Sequence, residues 1–150
     1  MTKKKVAVSA CLLGNRCRYD GRENSMPELL ALLEDAQIVA FCPEDFAFGT
    51  PRPTLDLVQT AKGVRALSNL SGADLSPPVQ AYADAFFDTH PDIDLFIGKD
   101  RSPSCGVHTA RLYDRDKLLI TDQATGLMAA KAIKKGIESW DAEAFLNRIS

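Results

Sequence analysis

Four cysteines carry the most distinctive chemistry in this chain: Cys11, Cys17, Cys42 and Cys105. Thiolates are soft ligands that suit iron–sulfur clusters and zinc better than hard cations. No two of the four have Cys-x-x-Cys spacing, so spacing alone names no metal. Glu44 stands two positions past Cys42, which tethers a carboxylate beside any site built on that thiol. Partial desolvation there raises a carboxylate pKa toward the range useful for acid–base work, whereas a solvated loop Glu stays ordinary. Ser102 and Ser104 flank Pro103 next to Cys105. Their hydroxyls suit substrate hydrogen bonding or proton relay, or simply shape a turn. Arg16, Arg18 and Arg101 lie in polar segments near these thiols, as does Asp20. A cationic rim of this kind can hold a phosphate, and the Asp can orient a substrate or close an Asx turn.

The elements that must position these residues follow from periodicity. Val6 to Leu13 reads as a buried strand broken by Gly14-Asn15. Ser25 and Glu28 have capping-box spacing with Pro27 in the first turn, which predicts a helix to about Glu34. Gln37 to Cys42 reads as a second strand, ended by Pro43. Leu55–Thr60 and Val64–Leu67 predict a hairpin around Lys62-Gly63. Ser76 reads as an N-cap with Pro77 at the first helical position, for a helix to about Thr89. Ile93 to Ile97 is a further buried strand, closed by Gly98. Val107–Tyr113 and Leu118–Ile120 predict a second hairpin. Leu127–Ile137 and Asp141–Ile149 read as the last two helices.

Strand, helix, strand, helix, strand predicts an α/β fold: one three-layer domain over residues 1–150 with a mostly parallel sheet. In such sheets the functional crevice lies outside the carboxyl ends of the strands. Cys11, Cys42 and Cys105 all fall near those ends. Three thiols far apart in sequence then converge on one edge, which is a cofactor geometry. The alternative is that they are plain core residues, since free Cys is among the most buried types.

Three segments extend this reading: Ser9-Ala10-Cys11-Leu12-Leu13-Gly14 running on to Cys17-Arg18-Tyr19-Asp20-Gly21, then Cys42-Pro43-Glu44, then Arg101-Ser102-Pro103-Ser104-Cys105-Gly106. Together they closely resemble a bacterial family long labelled a domain of unknown function, whose characterised members are thiouracil desulfidases. The resemblance runs over about residues 4–113. It implies a [4Fe-4S] enzyme that removes sulfur from a thiolated pyrimidine base, nucleoside or nucleotide. The family's three cluster cysteines match Cys11, Cys42 and Cys105, and its motif includes Glu44. The family pattern makes Cys17 a neighbour of the site rather than a ligand, although as a fourth ligand it would close the cluster.

With three protein ligands one iron is open and can act as a Lewis acid toward a soft sulfur. The implied reaction is non-redox. The open iron captures the thiocarbonyl sulfur, water attacks the carbon with acid–base help from Glu44, and sulfide leaves afterward. Ser102 is the preferred catalytic serine. A different class remains open: a non-catalytic protein with a closed four-Cys zinc or iron–sulfur site.

Composition sets the outer bounds. The chain has 150 residues, 45% apolar and 25% charged, so it can build one closed core. Its net charge of −2 supplies no global field for the phosphates of a nucleic-acid polymer. No apolar run approaches the ~20 residues of a membrane helix. Lys3-Lys4-Lys5 before Val6–Ala10 and Cys11 imitates a lipoprotein signal, but that apolar stretch is too short for a signal core. A cytoplasmic protein is the expectation.

Overall fold

The structure is a computed structural model and describes residues 4–13, 27–43, 54–69 and 71–149. The side chains of Cys11 and Ile149 are outside that description. Strands β1 (Lys5–Ser9), β2 (Gln37–Phe41), β5 (Leu95–Gly98) and β8 (Glu138–Asp141) form one sheet in the order β2-β1-β5-β8. All three pairings in it are parallel. Helices α1 (Pro27–Leu32) and α4 (Ala142–Ile149) cover one face, and α2 (Ser76–Thr89) and α3 (Leu127–Lys134) cover the other.

The strand period of two sorts β1 between these layers. Val6 and Val8 join Leu95 and Ile97 against Leu29, Leu33, Ala142 and Phe145. Ala7 joins Phe41 and Phe96 against Ala83, Phe86, Phe87, Met128 and Ala129. The three-layer α/β arrangement expected from the sequence is present.

The two expected hairpins form a second sheet. Strands β3 (Leu55–Thr60) and β4 (Gly63–Ser68) are antiparallel, as are β6 (Ala110–Tyr113) and β7 (Leu119–Ala124). A parallel β3–β6 pairing joins them in the order β4-β3-β6-β7. Gly63 turns the first hairpin at φ +96°, a conformation L-residues rarely adopt. Val79 of α2 and Leu127 of α3 pack on this sheet, while later residues of the same helices pack on the first. These two helices therefore tie the sheets together.

Several boundaries differ from the sequence reading. The first strand stops at Ser9, and Ala10–Leu13 wind into a 3-10 turn. The second strand stops at Phe41, one residue short of Cys42. Ser76 is the first helical residue of α2 and not its cap. Its hydroxyl instead accepts the Ala66 amide at 2.7 Å, and its own amide donates to Asp74 Oδ1 at 2.9 Å. The helix read to Ile137 ends at Lys134, and β8 follows where no strand was expected. Ser25 and the residues around Gly14 lie outside the described residues.

Candidate active site

The carboxyl edge of the parallel sheet is built from the last residues of its strands. Ser9 is level with Phe41, and Gly98 is level with Asp141. Each candidate ligand lies on the segment that follows one of three adjacent strands. Cys11 lies in the 3-10 turn after β1, Cys42 directly follows β2, and Cys105 sits in the loop after β5. The order β2-β1-β5 places these three segments side by side.

Cys42 is held by its neighbour in sequence. The buried Phe41 ring stacks on Phe96 with centroids 4.8 Å apart and meets Phe86 edge-on at 5.8 Å. The Cys42 amide donates to the Tyr82 hydroxyl at 3.2 Å. Cys42 is half-buried, whereas Cys105 is buried.

The Cys105 loop, residues 99–109, is a closed structure. The Lys99 amide donates to Cys105 Sγ at 3.4 Å. Ser102 Oγ accepts the amides of Ser104 and Cys105, both at 3.2 Å. That makes Ser102 a turn-former whose remaining capacity is donation. Ser104 is 2% exposed, and its carbonyl accepts the Met128 and Ala129 amides at the start of α3. Pro103 and Gly106 carbonyls accept the Leu127 and Gly126 amides, so the unpaired donors of that helix end are spent on the loop. Gly106 approaches the loop's own backbone: a Cβ there would stand 2.8 Å from the Ser102 carbonyl oxygen.

The other end of the loop is held from β8 and α4. Asp141 accepts the amides of Val107 (2.7 Å) and His108 (2.8 Å) and the Thr109 hydroxyl (3.0 Å). Asp100 accepts the Glu143 amide at 3.1 Å. Burial pushes the Asp100 carboxyl above the usual carboxylate range, against that hydrogen bond. Arg101 is exposed and adopts φ +66°, and its amide donates to Thr109 Oγ1 at 2.8 Å.

A cleft of about 440 Å³ opens beside this loop. Arg101 and Pro103 form its loop side, Asp56, Arg111 and Tyr113 line it from the second sheet, and Asn69 lines it from just past β4. The sequence reading missed Arg111, Tyr113 and Asp141. Arg111 and Tyr113 look like ordinary strand residues until β6 is placed beside the loop. Glu44, Arg18, Asp20 and Cys17 lie outside the described residues, as does Arg16.

The family model for 2-thiouracil desulfurase matches residues 6–144. The chain belongs to that family. The match extends well past residue 113, into β8 and α4. A solved structure titled as the [4Fe-4S]-dependent thiouracil desulfidase TudS (DUF523Vcz) superposes with a TM-score of 0.72 at 26% identity, covering 99% of this chain and 100% of that one. The uncharacterized protein YbbK of Bacillus subtilis (strain 168) is 28% identical over 109 residues, which are 67% of this chain and 72% of that protein. No helix among the described residues is long and apolar enough to cross a membrane.

Proposed function

We propose that this protein is an iron–sulfur-dependent desulfidase that converts a thiolated pyrimidine and water to the oxo pyrimidine and sulfide. The observation that carries the reading is that Cys11, Cys42 and Cys105 stand on the segments leaving the carboxyl ends of three adjacent parallel strands. Membership of the 2-thiouracil desulfurase family and the likeness to TudS support it. The donor set suits a cluster: three cysteines on segments that leave adjacent strands, with the Lys99 amide donating to Cys105 Sγ as it would to a bound thiolate. Held by three cysteines, a [4Fe-4S] cluster supplies an iron with Lewis acidity toward soft sulfur.

The chain's own residues do the rest. Glu44, tethered to Cys42 through Pro43, takes the proton from the attacking water. Ser102 donates its hydroxyl proton toward the pyrimidine, because its oxygen already accepts two amides. Ser104, buried behind it, supports the same loop. Arg101 and Arg111 line the adjoining cleft, whose volume suits a ribose phosphate attached to the base. Arg18 and Asp20, on the segment after Cys11, would complete substrate binding, and Cys17 would be a neighbour of the site rather than a fourth ligand.

The test is anaerobic reconstitution, with iron and acid-labile sulfide measured per chain. Sulfide release is then followed from 2-thiouracil, 4-thiouridine and 4-thiouridine monophosphate. Serine at Cys11, Cys42 or Cys105 is expected to abolish iron binding and turnover, and Cys17→Ser to retain both. Loss of iron in Cys17→Ser would make the site a closed four-cysteine one and overturn the open-cluster reading.

A further inference from the structure

Asp141 immediately precedes α4, where an Asp ordinarily caps its own helix. Its carboxylate does something else. Oδ1 accepts the Val107 amide and the Thr109 hydroxyl, and Oδ2 accepts the His108 amide. The capping role passes to Asp100, from the other end of the cysteine loop, which accepts the Glu143 amide. The two carboxylates thus bind crosswise between the loop and β8–α4. Asp141 is 4% exposed, so a carboxylate has been taken out of water for these three contacts.

The contacts reach further through Thr109. Its hydroxyl donates to Asp141 and accepts the Arg101 amide, so the direction of that hydrogen-bond chain is set. Arg101 is in the left-handed region, φ +66°, which a non-glycine residue holds only under constraint. Between Arg101 and Thr109 stand Ser102, Ser104 and Cys105.

We infer that Asp141 is a positioning residue for Cys105: it locks the loop after β5 so that the thiol stays buried at the sheet edge with the Lys99 amide on its sulfur. Only a carboxylate does this. Asn would turn an NH2 toward one of the two amide donors and leave that donor unpaired. The functional meaning rests on Cys105 being a ligand, but the positioning itself does not.

The test therefore begins with reduced, metal-free protein. Iodoacetamide labelling of each cysteine is followed by peptide mass spectrometry, with Cys42 of the same molecule as the reference. Asp141→Asn is expected to speed labelling of Cys105 at least about tenfold while Cys42 is unchanged, the pattern of local opening. An equal rise at both cysteines would mean general destabilisation, and no rise at either would mean no lock; each overturns the inference. If Asp141→Asn does not fold, Thr109→Val and Thr109→Ser replace it. Thr109→Val is expected to expose Cys105 several-fold and Thr109→Ser to restore the wild-type rate, and identical rates in both would overturn the inference. Reconstituted Asp141→Asn is expected to hold less than half the wild-type iron. Selective exposure of Cys105 in a protein that binds no iron in any form upholds the positioning and defeats the desulfidase reading.

Discussion

Gly98→Ala tests how tightly the candidate site is built. Gly98 closes β5, where it is paired with Asp141 of β8. A Cβ at this position would lie 1.7 Å from the Cys105 carbonyl oxygen and 2.7 Å from its carbon. Real Cβ contacts stay beyond 3.0 Å, so strand and loop must separate by about 1.3 Å. The obstructing atoms are backbone, in a loop held by Asp141, Asp100 and the start of α3. No flexible side-chain end is there to move aside. Overpacking of a well-packed interior costs ~1–3 kcal/mol, and the absence of a soft neighbour puts this case near ~3. For a domain of this length that corresponds to a fall in Tm of about 6–12 °C. Moving Cys105 also pulls its sulfur from the Lys99 amide, so iron content after reconstitution should drop below half. Gly63→Ala is the control: nothing lies within 4 Å of its Cβ, and only φ +96° opposes it. That substitution should cost ~1–2 kcal/mol with full iron retained. A Gly98→Ala protein within about 0.5 kcal/mol of wild type by urea unfolding, with full iron, would refute the steric reasoning.

Tyr82→Phe removes the acceptor of the Cys42 amide and should cost about 1 kcal/mol in urea unfolding without displacing the Phe41 ring. Asp100→Asn keeps an acceptor for the Glu143 amide and removes a charge that burial opposes. Because the folded pKa of Asp100 is raised, wild type carries its full contribution below about pH 3.9 and loses it as pH rises through the folded value. The stability difference favouring Asn should accordingly be larger at pH 7.5 than at pH 4.5. Arg111→Ala should raise KM for 4-thiouridine monophosphate about tenfold or more while changing KM for 2-thiouracil little, since on the proposed reading only the former carries a phosphate for the Arg111 side of the cleft.

The legible parts of this fold were those with a strong local signal. The β3–β4 hairpin was marked by Lys62-Gly63, and α2 by the spacing of Val79, Ala83, Phe86 and Phe87, all buried on one face. The end of β7 was missed because Thr121, Asp122 and Gln123 are polar; an edge strand needs no apolar pattern to make its ladder. Strand β8 was missed for the same reason. Glu-Ser-Trp-Asp carries little strand signal, and it is a strand because β5 offers a free edge. The three cysteine positions were legible because each follows a recognisable apolar strand. Asp141 was not, because an Asp before a helix reads as a cap, and only tertiary contact turns it toward the loop.

The parallel pairing of β1 with both β2 and β5 governs the order of assembly. Cys11, Cys42 and Cys105 are 31 and 63 positions apart along the chain, so an unfolded polypeptide holds them together only at a large loop-closure entropy. Their effective concentration for one another rises when the crossovers are complete and the central strands are in register. If these cysteines hold the proposed cluster, its capture would follow folding, unlike in a zinc finger, where ligands close in sequence let the metal organise the chain. A loaded cofactor would then act as a native-state ligand, raising unfolding resistance by mass action while its loss leaves the polypeptide folded.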